Sequence, residues 1–119
     1  MDAQELKELT KAFALRIIRL YTRLPRGGVA DVLGKQVLRS GTSVGAHYRE
    51  ACRARSPAEF ISKVEGGLQE LEETVYWLEL LVGAEIVPGE KLDALREEAA
   101  ELLAIFTASV KSAKSHAGR

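Results

Sequence analysis

Residues Gln36 to Arg55 read QVLRSGTSVGAHYREACRAR and carry the pattern of a bundle helix with an emptied middle. Ser40, Gly41, Thr42, Ser43, Gly45 and Ala46 are all small, and larger polar groups flank them at Arg39, His47, Arg49 and Glu50. Glycine inside a helix costs about 1 kcal/mol against alanine, so its repeated use needs an offsetting gain. Close approach of another backbone supplies one. The inward series of this helix reads Leu33, Val37, Ser40, Val44, His47 and Ala51 at steps of three and four.

The same period extends on both sides. Leu6, Leu9, Phe13, Ile17, Leu20 and Leu24 draw a stripe on a first helix, with Asp2 and Glu5 placed for a capping box and Pro25, Gly27 and Gly28 ending it. Ser56-Pro57-Ala58-Glu59 opens a third helix, since serine caps, proline suits the first turn and glutamate can reach back. That helix carries Phe60, Val64, Leu68, Leu71, Val75, Leu78 and Val82, with Gly83 as its C-terminal cap. After Pro88-Gly89 a fourth carries Leu92, Leu95, Ala99, Leu102, Phe106, Val110 and Ala113, and its polar tail KSAKSHAGR is expected to fray.

No segment alternates with period two. The spacing therefore predicts an all-α fold, an antiparallel up-down-up-down four-helix bundle, with helices over 3–24, 29–55, 57–83 and 89–114. A chain of 119 residues makes one domain, 1–119. The glycine pairs Gly41/Gly45 and Gly66/Gly67 predict that helices two and three approach closely; relief of crowding around Trp77 is the alternative.

Lysine plus arginine and aspartate plus glutamate number 17 each, which argues against a general nucleic-acid coat. Residues 1–60 hold 11 basic and 6 acidic side chains, a net of +5; residues 61–119 hold 6 and 11, a net of −5. The halves either complement each other within one chain or meet across subunits. The single cysteine, Cys52, excludes an internal disulfide and fits a cytoplasmic setting. Asp2 and Glu5 occupy the place of a signal peptide's basic region, and the longest apolar run is too short to span a bilayer.

Apolar surface exceeds one core. Leu15 and Ile18 on helix one, and Tyr76, Trp77, Leu80 and Leu81 on helix three, lie beyond the inward stripes and predict self-association. Arg39, Ser40, Ser43, His47, Glu50, Glu70 and Glu73 read as a polar layer whose members satisfy one another. His47 and Glu50 could offer two metal ligands, but a dinuclear carboxylate bundle needs more, so no metal, cofactor or catalytic residue is assigned. Arg16, Arg19, Arg23, Arg49, Arg53 and Arg55 are candidate phosphate contacts for a nucleic acid, or else solvated partners of the acidic third helix.

RSGTSVGAHYREA, the Ser-Pro-Ala-Glu-Phe-Ile helix start and LQELEETVYWLELL together resemble the four-helix-bundle proteins of the ribosomal RNA intervening-sequence family, from Phe13 to about Phe106. Arg39, Ser40, Gly41, Ser43, Gly45, Glu50, Phe60, Glu70, Glu73 and Trp77 match the family pattern; His47 stands where members usually have asparagine. The resemblance implies one bundle per chain, a ring of subunits (commonly five) and no established enzymatic activity. A distant relative, the accessory protein of diversity-generating retroelements, is a basic ring that binds nucleic acid and a reverse transcriptase. This chain lacks that basic excess.

Overall fold

In a computed structural model, which describes residues 1–117, the chain forms α1 (Ala3–Arg23), α2 (Gly28–Cys52), α3 (Pro57–Gly83) and α4 (Asp93–Ala117). A 3-10 turn over Gly89–Leu92 leads into α4. No strand occurs among the described residues. Local chemistry accounts for the helix starts. The Asp2 carboxylate accepts from the Glu5 backbone N–H at 2.8 Å, and Ser56 Oγ accepts from the Glu59 N–H at 3.1 Å. Glu59 reaches back one residue further than a capping box requires, to the Arg55 N–H at 3.1 Å.

The ends differ from the sequence reading. Helix two stops at Cys52, not 55, where Arg53 and Ala54 make tight bonds to the Glu50 and Ala51 carbonyls. The left-handed residue after helix three is Glu85 (φ 60°), not Gly83. The fourth helix extends through Ala117, past the expected end at 114; Gly118 and Arg119 lie outside the described residues.

α1 packs on α2, α2 on α3 and α3 on α4, while α1 meets α4 along a much thinner seam. The molecule is 50 Å long and 21 Å across. Phe13, Ile17, Val37, Val44, Val64, Leu71, Leu78, Ala99, Leu102 and Phe106 fill the core. Each such large side chain contributes about 1.5–3 kcal/mol by leaving water.

Two stripes hold as read at Leu6, Phe13 and Ile17 and at Val64, Leu71 and Leu78, but other members lie one position off the seam. Thr10, not Leu9, faces inward on α1, its Oγ1 donating to the Leu6 carbonyl at 2.9 Å. On α3 the seam runs Val64, Gly67, Leu71, Thr74, Leu78 and Leu81, whereas Leu68, Val75 and Val82 flank it. A glycine and a threonine sit on the true seam, so apolarity alone selected its neighbours.

The glycines serve different contacts from those expected. A Cβ at Gly41 would lie 2.7 Å from Ile17, and one at Gly45 3.1 Å from Thr10, so both admit α1 rather than α3. Gly67 chiefly makes room for Phe106 of α4 and also lies against His47, while Gly66, under the His47 ring, serves the α2–α3 approach alone.

Candidate functional site

The α2–α3 seam holds most of the predicted polar layer. Steps of three and four put Ser40, Ser43 and His47 on the side of α2 that meets α3. At its exposed edge Arg39 Nη1 donates to both Glu70 carboxylate oxygens at 3.1 and 3.3 Å, and Nη2 donates to Glu73 at 3.3 Å. Just inside, Ser40 and Thr74 are wholly buried, and their hydroxyls bond at 2.8 Å. Each also has a carbonyl of its own helix, Gln36 at 2.9 Å and Glu70 at 2.7 Å.

The other three members do not join. Ser43 Oγ donates to the Arg39 carbonyl at 2.6 Å, within α2. Buried His47 Nδ1 has no partner. Glu50 turns to Lys63, at 2.9 Å, which holds its carboxyl below the usual range and the lysine above its own. The layer is therefore an edge network plus separate bonds, and sequence reasoning missed Thr74 and Lys63. Register would have found both: as α2 ascends from Ser40 to His47 to Glu50, its α3 partners descend from Thr74 to Gly67 to Lys63.

Of the six residues assigned to self-association, Leu81 is wrong. It occupies the α3 seam and is fully buried within the single chain. Tyr76 is 52% exposed, and Leu15 and Ile18 are each 40% exposed. Trp77 and Leu80 are half-buried. The Trp77 ring lies 5.3 Å from that of Tyr76, and its Nε1–H is buried without an acceptor. Val29 and Val32, 64% and 63% exposed, had not been singled out. Continuing the descending α2–α3 register places Val32 and Val29 at the C-terminal end of α3, the end that carries Tyr76. Leu15 and Ile18 sit apart from Tyr76, because α1 and α3 are diagonal in the bundle.

The arginines divide. Arg16, Arg19 and Arg23 line one cavity at the α1 C-terminal end. Arg53 and Arg55 share a shallow depression with Glu50, Glu59 and Lys63 at the far end of α2, where carboxylates offset them; Arg49 is exposed nearby. The 25 residues of α2 separate the groups by roughly 37 Å, so no single surface carries all six.

Among the described residues no three His, Cys, Asp or Glu side chains come together as metal ligands. Cys52 is exposed. The neighbouring Tyr48 hydroxyl is pushed up to about 12, chiefly by burial and also by the nearby Cys52 thiol. Among the described residues no helix is long and apolar enough to cross a membrane.

Residues 3–108 match the sequence pattern of the family described as 23S rRNA-intervening sequence protein. The chain belongs to that family. A crystal structure of a protein of unknown function from the S23 ribosomal protein family of Bacteroides thetaiotaomicron superposes with a TM-score of 0.87 at 39% identity, covering 93% of this chain and 99% of that one. No curated protein matches this chain. Of the positions read from the sequence as matching the family, Gly41 and Gly45 face α1, whereas Arg39 and Ser40 of α2 meet α3 through Glu70, Glu73 and Thr74.

Proposed function

We propose that this intervening-sequence protein is a non-catalytic, self-assembling bundle that serves as a cytoplasmic scaffold or accessory factor. We read the chain as an antiparallel up-down-up-down bundle; descending partner order from Gly34 with Leu24 to Gly45 with Thr10 supports that reading. The observation that carries the assembly is the Tyr76 face. Tyr76, Val29 and Val32 are exposed, and Tyr76 lies beside Trp77, whose indole N–H has no acceptor among the described residues. Large apolar side chains left exposed at one end of an elongated molecule favour a protein-binding surface, and an unpaired buried donor costs about 1–3 kcal/mol until a partner accepts from it. A second copy is the simplest occupant, and the family resemblance points to a ring of five.

Light scattering of the purified chain tests this. Five copies of 13.0 kDa give about 65 kDa. Tyr76→Glu combined with Val32→Glu is expected to release 13.0 kDa monomers that stay helical. A wild-type chain that stays monomeric at every concentration overturns the proposal.

A second reading makes the chain a nucleic-acid-binding accessory factor. One observation favours it, the convergence of Arg16, Arg19 and Arg23. The acid-matched arginines at the other end weaken it. Absence of any RNA or DNA shift at low salt would end it.

A further inference from the structure

The cavity at the α1 C-terminal end has a volume of about 620 Å³ and lies where the α1–α4 seam is thin. Arg16, Arg19 and Arg23 of α1 line it together with Lys91 from the 3-10 turn; Leu24 and Val87 supply part of its apolar lining. No acidic side chain lines it. Arg16 Nε is engaged at 3.2 Å by Glu98, which stands outside the lining. Among the described residues no carboxylate lies within ion-pairing distance of Arg19, Arg23 or Lys91.

Helical spacing alone brings Arg16, Arg19 and Arg23 to one side of α1, and cations near a helix C-terminus are ordinary. Lys91 is different. It comes from a segment nearly seventy residues away in sequence, and the fold brings it into the same cavity. Like charges lining one recess repel unless an anion sits between them. An apolar lining beneath cationic rims is also how sites for organic anions are built, and 620 Å³ falls within the usual size of small-molecule clefts.

We propose that this cavity binds an organic polyphosphate of nucleotide size, with Arg19, Arg23 and Lys91 holding the phosphates and the apolar lining holding the organic body. Guanidinium groups pair with phosphate oxygens in two-pronged fashion, and lysine adds a point charge. The site is separate from the Tyr76 face and does not depend on the assembly reading.

Calorimetric titration of the full chain in its native assembly, at about 50 mM salt, tests it with ADP, inorganic pyrophosphate and a single strand of about twenty nucleotides. ADP is expected to bind more tightly than pyrophosphate, because only ADP uses the apolar lining. Arg19→Glu and Lys91→Glu are each expected to weaken ADP at least about tenfold. Arg53→Glu at the far end is expected to leave it unchanged. All three positions are exposed, and unchanged melting curves establish that the variants fold. No heat with ADP overturns the proposal, as does equal weakening by Arg53→Glu. Pyrophosphate binding as tightly as ADP removes the nucleotide-sized ligand. A strand held more tightly than ADP through Arg19 and Lys91 replaces the proposal with the nucleic-acid reading.

Discussion

Ser40 and Thr74 share a 2.8 Å hydroxyl–hydroxyl bond in the dry seam between α2 and α3, and each hydroxyl also lies within bonding distance of a carbonyl of its own helix. Two hydroxyl protons thus serve three short contacts, and either side chain remains satisfied when the other is removed. Ser40→Ala and Thr74→Val are each expected to cost less than about 1 kcal/mol, with a coupling energy near 0.5–1 kcal/mol in a double-mutant cycle. Urea unfolding measures it. A loss above about 3 kcal/mol for either single change would show that the inter-helix bond is indispensable.

Gly41 and Gly83 make opposite predictions. A Cβ at Gly41 meets Ile17 at 2.7 and 2.9 Å, and that β-branched side chain is fully buried and stiff. Gly41→Ala is expected to lose about 1–2 kcal/mol, overpacking outweighing the better helix propensity. Nothing lies within 4 Å of a Cβ at Gly83, so Gly83→Ala is expected to gain about 0.5–1 kcal/mol. Denaturant midpoints of the two variants should move in opposite directions.

Glu85 holds φ at 60° to turn the chain out of α3, while its N–H donates to the Val82 carbonyl at 3.0 Å. The left-handed region costs a residue with a side chain about 1–2 kcal/mol, and glycine avoids most of that. Glu85→Gly is therefore expected to raise stability by about 0.5–1 kcal/mol despite the added freedom of the unfolded chain. A lower melting temperature would contradict this.

Glu98 is held above the ordinary 4.5, first by burial and only partly relieved by Arg16. The folded chain thus binds this proton more tightly than the unfolded chain. The contribution to stability is full below pH 4.5 and is lost as pH rises through the elevated value. Glu98→Gln is expected to gain on the wild type in melting temperature between pH 4 and pH 7. Glu50 acts in the opposite sense, since Lys63 holds it low and its help disappears on acidification. Melting curves across that range decide the sign.

Leu81 and Tyr76 separate core from assembly. Leu81→Ala is expected to cost about 2–5 kcal/mol by opening a cavity. Tyr76→Ala should change the stability of an isolated chain by about 0.5 kcal/mol or less and act instead on native mass. Chemical denaturation and light scattering together read both effects.

Helix number, approximate bounds and chemical class were legible because they follow from neighbours in the chain. Apolar residues at steps of three and four need a partner surface, Ser56-Pro57 and Asp2 start helices locally, and Pro25 and Pro88 interrupt them. The edge of the polar layer was legible too, since Arg39 had Glu70 and Glu73 as opposite charges on a facing helix. Thr74, Lys63 and the inward turn of Leu81 were not, because each depends on how far α3 is rotated and slid against α2. That rotation is set by fitting side-chain volumes: Gly67 beneath Phe106 and His47, and Gly41 beneath Ile17.

Residue order along 1–119 was thus enough for four amphipathic helices and a surplus of apolar surface, since both are properties of single segments. Which glycine admits which helix, which arginines converge, and that Lys91 lines the same cavity as Arg19 were settled only by packing. Those contacts join residues distant in sequence, and their free energy depends on simultaneous fit among all the helices.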